Sequence, residues 1–226
     1  MLIETPASSL GRWIRRKAGQ SLWHRNPDYW DKELAGSSAS YLDGLDVDIR
    51  NAIIRILIHR FAPHAHSLLD LGCASGGLAS CLLQKEIEVY VGVDISKYAI
   101  EKATAKYNSL QGNGIYRVNF FTSDLCEFIP KNNALFDLIA FNEVLYYLTI
   151  EEAIGQVERY TKYLSPIGMV FICMKDDPKS HTIYRHLSKK LGWVYGILFQ
   201  EQAVKARHRI VISSEHPALL VGLFKP

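Results

Sequence analysis

Long apolar runs are missing from this 226-residue sequence. Nothing in it approaches the roughly 20 consecutive apolar residues needed to cross a bilayer. The N-terminus also lacks the continuous apolar stretch of a secretion signal. The expectation is a cytoplasmic protein without a transmembrane segment. Cysteine is scarce. Cys73, Cys81, Cys126 and Cys173 form no C-x-x-C pair and no Cys/His cluster at zinc spacing. Cys73, Cys81 and Cys173 fall in or beside predicted core elements and read as buried free thiols of a reducing compartment. A charge excess is lacking too. The 26 Lys and Arg against 23 Asp and Glu leave +3, too little to argue for a nucleic-acid partner by itself. There is no internal repeat and no low-complexity tract.

What is present is an ordinary globular composition, 48% hydrophobic and 22% charged, long enough for one domain plus an extension. Residues 1–43 are mixed, aromatic and basic, with a soft break at 36–40. Residues 44–175 alternate between helical and strand patterns. Residues 176–226 open on Asp176-Asp177-Pro178 and end in strand-like runs. In the middle region, Leu45, Ile49, Ala52, Ile53, Ile56 and Leu57 recur at helical spacing, which predicts a helix over 46–60 with Asp46 as its N-cap. Strands are predicted at 67–71, 88–94, 115–121, 136–141 and 169–174. Helices are predicted at 77–84, at 97–108 with Ser96 as cap, and at 150–163. This alternation argues for a parallel sheet covered on both faces, and the nearly continuous apolar strands agree. Right-handed crossovers make it doubly wound, with ligands beyond the carboxyl ends of the strands.

The first such end is Asp70-Leu71-Gly72-Cys73-Ala74-Ser75-Gly76-Gly77. Small residues at 72, 74, 76 and 77 let a ligand approach the backbone. Gly72-x-Ala74-x-x-Gly77 also fits a relaxed dinucleotide fingerprint, which would make the chain an oxidoreductase. Three features favour another reading. Asp70, two residues before the first glycine, suits a ligand with an ammonium group and not a pyrophosphate. A helix precedes the first strand. The tail after the fifth strand looks antiparallel.

Asp70-x-Gly72-x-Ala74-x-Gly76 resembles the first motif of class I S-adenosylmethionine-dependent methyltransferases, and the resemblance covers about residues 46–175. Ala74 stands where glycine is commoner. The resemblance implies a Rossmann-like α/β fold with a doubly wound seven-stranded sheet, mostly parallel, with a C-terminal antiparallel hairpin. It implies S-adenosylmethionine as cofactor and S-adenosylhomocysteine as product. The turn, with Gly72, Cys73, Ala74 and Gly76, would cradle the methionine part, and Asp70 would hold its amino group. Asp94 lies 22 residues after Gly72, a spacing that fits an acceptor for ribose hydroxyls, with Ile95 against the adenine. Asp124 would read the adenine amino group and Leu125 would donate its backbone N–H. Phe141 and Asn142 would also contact the cofactor. In this reading residues 44–226 are the methyltransferase domain and 1–43 an extension closing as a lid.

The segment Glu143-Val144-Leu145-Tyr146-Tyr147-Leu148 is similar to small-molecule and sugar methyltransferases, including the rhizobial nodulation N-methyltransferases. It is not Asn-Pro-Pro-Tyr, so a nucleobase amine is disfavoured, and it lacks the paired glutamates of protein arginine methyltransferases. The expected acceptor is an oxygen or nitrogen of a small or saccharide-like metabolite. Glu143 and His181 are the candidate catalytic groups. Tyr146, Tyr29 and Trp30 are the candidate acceptor contacts, with only one of Tyr146 and Tyr147 expected to reach the site. A magnesium site from Asn142 and Asp176-Asp177 is too loose a pattern to adopt, so no metal is expected. Two alternatives stand: an RNA methyltransferase using Arg12, Arg15, Arg16 and Lys17, and a non-catalytic S-adenosylmethionine-binding protein. The C-terminal runs 194–199, 209–213 and 219–224 supply the expected hairpin.

Overall fold

A computed structural model of the chain describes residues 25–36, 45–83, 87–111, 116–174, 177–191, 198–200 and 209–211. Helix α1 (Pro27–Ala35) and helix α2 (Leu45–Phe61) precede β1 (Ser67–Leu71), α3 (Gly77–Leu82), β2 (Val89–Asp94), α4 (Lys97–Gln111) and β3 (Arg117–Thr122). β4 (Phe136–Asn142), α5 (Ile150–Thr161), β5 (Leu164–Cys173) and α6 (Pro178–Leu191) follow, then β6 (Leu198–Gln200) and β7 (Arg209–Val211).

The first five strands form one sheet in the order β3-β2-β1-β4-β5, with every pairing parallel. Residues alternate between its faces. Leu69, Leu71, Ile139 and Phe141 meet Val157, Tyr160 and Leu187 of α5 and α6 on one side. Leu68, Tyr90, Leu138 and Phe171 meet Ile58, Leu78 and Tyr107 of α2, α3 and α4 on the other. The chain order reverses between β1 and β4, so the carboxyl ends of those strands flank the switch point where such sheets hold ligands.

Among the described residues the main sheet holds five of the seven expected strands. β6 and β7 pair antiparallel with each other, Leu198 opposite Val211. Among the described residues they form a separate two-stranded sheet, and the run 219–224 lies outside those residues. The fifth strand begins five residues before the expected Met169. Phe136 pairs with Leu164 and Leu138 with Met169, so two steps along β4 oppose five along β5. The intervening Ser165-Pro166-Ile167-Gly168 bulges out opposite Asp137 alone, and its Pro and Gly conceal the strand from a pattern reading. Asp46 lies inside the first turn of α2 and does not precede the helix. Ser96 behaves as expected of a cap, its Oγ accepting from Ala99 N at 3.1 Å.

One carboxylate ties the far end of the sheet. Asp137 accepts from His66 N (3.0 Å), Ser67 N (3.1 Å), Ser67 Oγ (2.9 Å) and Ser165 Oγ (2.8 Å), joining β1, β4 and β5 at their amino ends. Burial opposes its charge, but the hydrogen bonds from His66, Ser165 and Ser67 outweigh it and hold the carboxyl below its ordinary range. Its stabilising contribution is lost only as pH falls through that lowered value. The opposite ends of the strands are left to the ligand.

Candidate active site

The site begins where β1 stops. Asp70 is 1% exposed. Its Oδ2 accepts a hydrogen bond from Tyr90 Oη at 2.5 Å, while Oδ1 is buried without a partner. Burial pushes its carboxyl up to about 7, against the Tyr90 hydrogen bond, and Asp94 adds in the same direction. The chain then turns sharply. Gly72 at φ +82 and Gly76 at φ +78 take up left-handed backbone, and Ala74 does so at φ +46. That conformation strains an L side chain, and such strain concentrates at ligand sites. Gly72 N and Cys73 N both donate to Val93 O, at 2.8 and 3.1 Å. Cys73 is buried, and burial holds its thiol protonated.

Asp94 ends β2 and fastens the turn. Its Oδ2 accepts from Ala74 N and its Oδ1 from Ser96 N, both at 2.9 Å. Burial raises its carboxyl above the ordinary value, with the bonds from Ser96, Ala74 and Ile95 opposing. Beyond β3, Asp124 Oδ1 accepts from Cys126 N at 2.8 Å and Oδ2 from Arg25 Nε at 2.8 Å. Leu125 is buried, and its carbonyl accepts from Tyr160 Oη at 2.7 Å. The Phe141 ring is also fully buried and faces Tyr160 edge-on at 5.9 Å. Asn142 carries a buried Oδ1 with no partner. Alternation along β4 puts it on the face that Asp70 shares, since Asp70 pairs with Ala140 two residues before it.

Glu143 follows at φ +59. Its Oε2 accepts from Tyr146 Oη at 2.9 Å and its Oε1 lies 3.5 Å from Cys173 Sγ. Burial pushes the Tyr146 phenol far up, so it stays a donor. Tyr146, expected as an acceptor contact, is 9% exposed and packs into the core. Tyr147 is half-buried instead, and its ring meets Trp30 at 4.9 Å. His181 is half-buried in the first turn of α6, where its N–H closes on Asp177 O. Asp177 Oδ1 accepts from Ser180 N at 2.7 Å, the geometry of a helix cap. Asp176 lies outside the described residues.

Helix α1 lies across these strand ends. Asn26 caps it, accepting from Asp28 N. Arg25 ion-pairs with Asp124 at 2.8 Å and Glu152 at 3.4 Å. Asp31 Oδ1 accepts from Ser96 Oγ at 2.6 Å and Tyr98 N at 3.1 Å. Trp30 packs beside Tyr98, Ala99 and Leu34, with Tyr29 edge-on at 5.3 Å. Arg25 and Asp31 are missed by sequence reasoning, because their partners lie 99 and 65 residues away and no local pattern marks them.

Comparison with known proteins decides what this turn belongs to. Residues 69–170 match the family described as "methyltransferase domain". Residues 69–170, a little under half of the chain, read as a methyltransferase domain. The dinucleotide reading of its glycine turn gives way accordingly. The chain is similar to the mRNA cap guanine-N(7) methyltransferase of Schizosaccharomyces pombe, 28% identical over 145 residues, covering 61% of this chain and 40% of that enzyme. It is similar to the tRNA1(Val) (adenine(37)-N6)-methyltransferase of Escherichia coli O157:H7, 28% identical over 176 residues, covering 70% and 71% of the two chains. Its fold is that of the N-methyltransferase NodS of Bradyrhizobium japonicum WM9, solved with S-adenosylhomocysteine. The TM-score is 0.65 at 20% identity, over 88% of this chain and 98% of that one.

The methyl donor of such domains is S-adenosylmethionine, and the residues present fit it. Two buried oxygens, Asp70 Oδ1 and Asn142 Oδ1, lack partners beside a turn of small residues. An unpartnered buried acceptor costs stability unless a donor meets it, and the cofactor's ammonium is such a donor. Among the described residues no group of three metal-ligating side chains gathers, and no helix is long and apolar enough to cross a membrane.

The raised Asp70 carboxyl has a measurable consequence. Its value climbs from 3.8 to about 7 on folding. That contribution to stability is therefore complete below pH 4 and is lost as pH rises through about 7. Asp94 acts in the same direction, and Asp137 acts only in acid. Urea unfolding of the ligand-free protein should show roughly 2 kcal/mol less stability at pH 8 than at pH 5.5. Asp70→Asn should remove most of that slope. A slope that survives intact would place its source elsewhere.

Proposed function

We propose that the chain transfers a methyl group from S-adenosylmethionine to an oxygen or nitrogen of a small or sugar-like metabolite. In this reading Asp70 Oδ1 takes the cofactor's ammonium, Asp94 the ribose hydroxyls and Asp124 the adenine amino group. Ile95 lies against the adenine and Leu125 donates its backbone N–H to it, the 72–76 turn supports the methionine part, and Phe141 contributes only backbone. The cofactor, when bound, supplies a sulfonium methyl that a nucleophile displaces in line, so the protein's share is alignment and exclusion of water.

The observation that carries the acceptor reading is Glu143. Its positive φ is unusual for this residue type, and the Tyr146 hydroxyl fixes its carboxylate beside the end of β4. A carboxylate so placed accepts the proton that an amine or hydroxyl gives up. Tyr29, Trp30 and Tyr147 form a run of aromatic contacts that reaches Tyr146, the partner of Glu143, suited to the apolar face of a sugar or ring. Helix α1 contributes to the lid. His181 stands as the second candidate base.

Methylation of RNA is the second reading, favoured by the cap and tRNA enzymes among the relatives. Its basic segment, Arg12 to Lys17, lies outside the described residues. Labelled S-adenosylmethionine offered with amino sugars, hydroxyl sugars and RNA separates the two. The first reading predicts transfer to a small acceptor, with kcat about 100-fold lower in Glu143→Gln and S-adenosylhomocysteine affinity within twofold of wild type. Transfer to RNA alone, falling steeply with salt, would favour the second.

A further inference from the structure

Three rings lie in a row beneath the glycine turn. Tyr90 on β2 and Tyr107 on α4 flank Phe120 on β3, each 5.6 Å from it between centroids. The outer two reach the turn with their hydroxyls. Tyr107 Oη donates to Gly76 O at 2.8 Å, and Tyr90 Oη donates to Asp70 Oδ2 at 2.5 Å. The stack therefore grips both ends of the Asp70–Gly76 segment. Register explains the second grip. Leu68 pairs with Tyr90 and Asp70 with Gly92, so Tyr90 lies diagonally across from Asp70 on the same face. Gly92, opposite Asp70, leaves room for the Phe120 ring and Cys73 Sγ, which a Cβ there would approach within 2.6 and 2.8 Å. Tyr90 is 0% exposed, so its hydroxyl is committed to this bond.

A carboxylate pinned by one oxygen has its other oxygen pointed. We propose that Tyr90 is a positioning residue for the cofactor: by holding Asp70 Oδ2 it aims the unpartnered Oδ1 at the ammonium group of the bound amino acid. The proposal rests on the reading of S-adenosylmethionine as cofactor. Its specific content is that a hydroxyl on β2, touching no ligand, governs recognition of the amino-acid half and leaves the adenosyl half alone. The titratable groups facing Asp70 are Tyr90, Cys73 and Asp94. Cys73 is held neutral by burial, and Asp94 opposes the Asp70 charge. The Tyr90 bond favours that charge, so its removal moves ionisation of Asp70 to higher pH.

The test is calorimetric titration of the full chain with S-adenosylhomocysteine and with 5′-methylthioadenosine, which keeps the adenosyl thioether and lacks the amino acid. Tyr90→Phe should weaken S-adenosylhomocysteine about tenfold at pH 7, the order expected for losing a hydrogen bond to a charged group. It should change methylthioadenosine less than twofold and shift the pH profile of S-adenosylhomocysteine affinity upward. In an Asp70→Asn background the same substitution should change nothing further. Folding of Tyr90→Phe is checked by its melt at pH 5.5, where Asp70 is protonated and the missing bond costs least. Equal weakening of both ligands, or of neither, would overturn the proposal while leaving the cofactor reading in place. Wild-type protein that binds neither ligand would remove both.

Discussion

Asp94→Ala should weaken binding of S-adenosylmethionine at least about 100-fold. The carboxylate sits at the join of three pieces of the site. It receives Ala74 N from the glycine turn and Ser96 N from the start of α4, both at 2.9 Å. Its remaining lone pairs are proposed to take the ribose hydroxyls. Each hydrogen bond to a charged acceptor is worth about 1.5–3 kcal/mol, and removing the acceptor also strands the backbone donors it holds. Asp94→Asn keeps the shape and one acceptor oxygen, so its loss should be smaller. Calorimetry on the three proteins orders them wild type, Asn, Ala. An alanine variant with unchanged affinity would sink the ribose assignment.

Gly72→Ala should cost the fold roughly 2–5 kcal/mol and abolish cofactor binding with it. Two penalties coincide there. The residue holds φ +82, where an L side chain costs about 1–2 kcal/mol. A Cβ would also sit 2.6 Å from Val144 Cγ2 and 2.7 Å from Val144 Cβ, and overpacking of this kind costs about 1–3 kcal/mol. Val144 cannot yield freely, because its carbonyl accepts from Tyr147 N in the turn after β4. Gly155 is the internal control. It lies in α5, where a Cβ would meet nothing within 4 Å, so Gly155→Ala should stabilise by about 0.5–1 kcal/mol through helix propensity alone. Urea midpoints of the two variants should move in opposite directions. A Gly72→Ala midpoint close to wild type would mean that the turn relaxes away from Val144.

Much of this was legible from pattern. Buried parallel strands are apolar on both faces, so β1, β2 and β4 announce themselves, and the glycine turn follows β1 at once. Asp70 and Asp94 were readable because their place depends on local order: a carboxylate just before a turn, and one at the next strand end. The features that escaped are those in which distant chain segments meet. The bulge in β5 hides behind Pro166 and Gly168. Tyr90 reads as one more strand residue, since nothing local distinguishes a core ring from one whose hydroxyl holds a carboxylate. Arg25 and Asp31 fall in a segment of mixed composition, and only tertiary contact gives them their partners on Asp124 and Ser96. The two tyrosines after β4 differ in burial for a related reason. The 3₁₀ turn Leu145–Tyr147 points Tyr146 into the core and leaves Tyr147 against Trp30.

The central claim is that the strand ends of this sheet hold an adenosyl-methionine and not a dinucleotide. Calorimetric titration of the full chain with S-adenosylmethionine, S-adenosylhomocysteine, NAD and NADP tests it most directly. The account predicts one-to-one binding of the two adenosyl compounds in the micromolar range, competitive with each other, and no heat from either dinucleotide. Binding of NAD or NADP at the same site, or no binding of the adenosyl compounds at millimolar concentration, would contradict it.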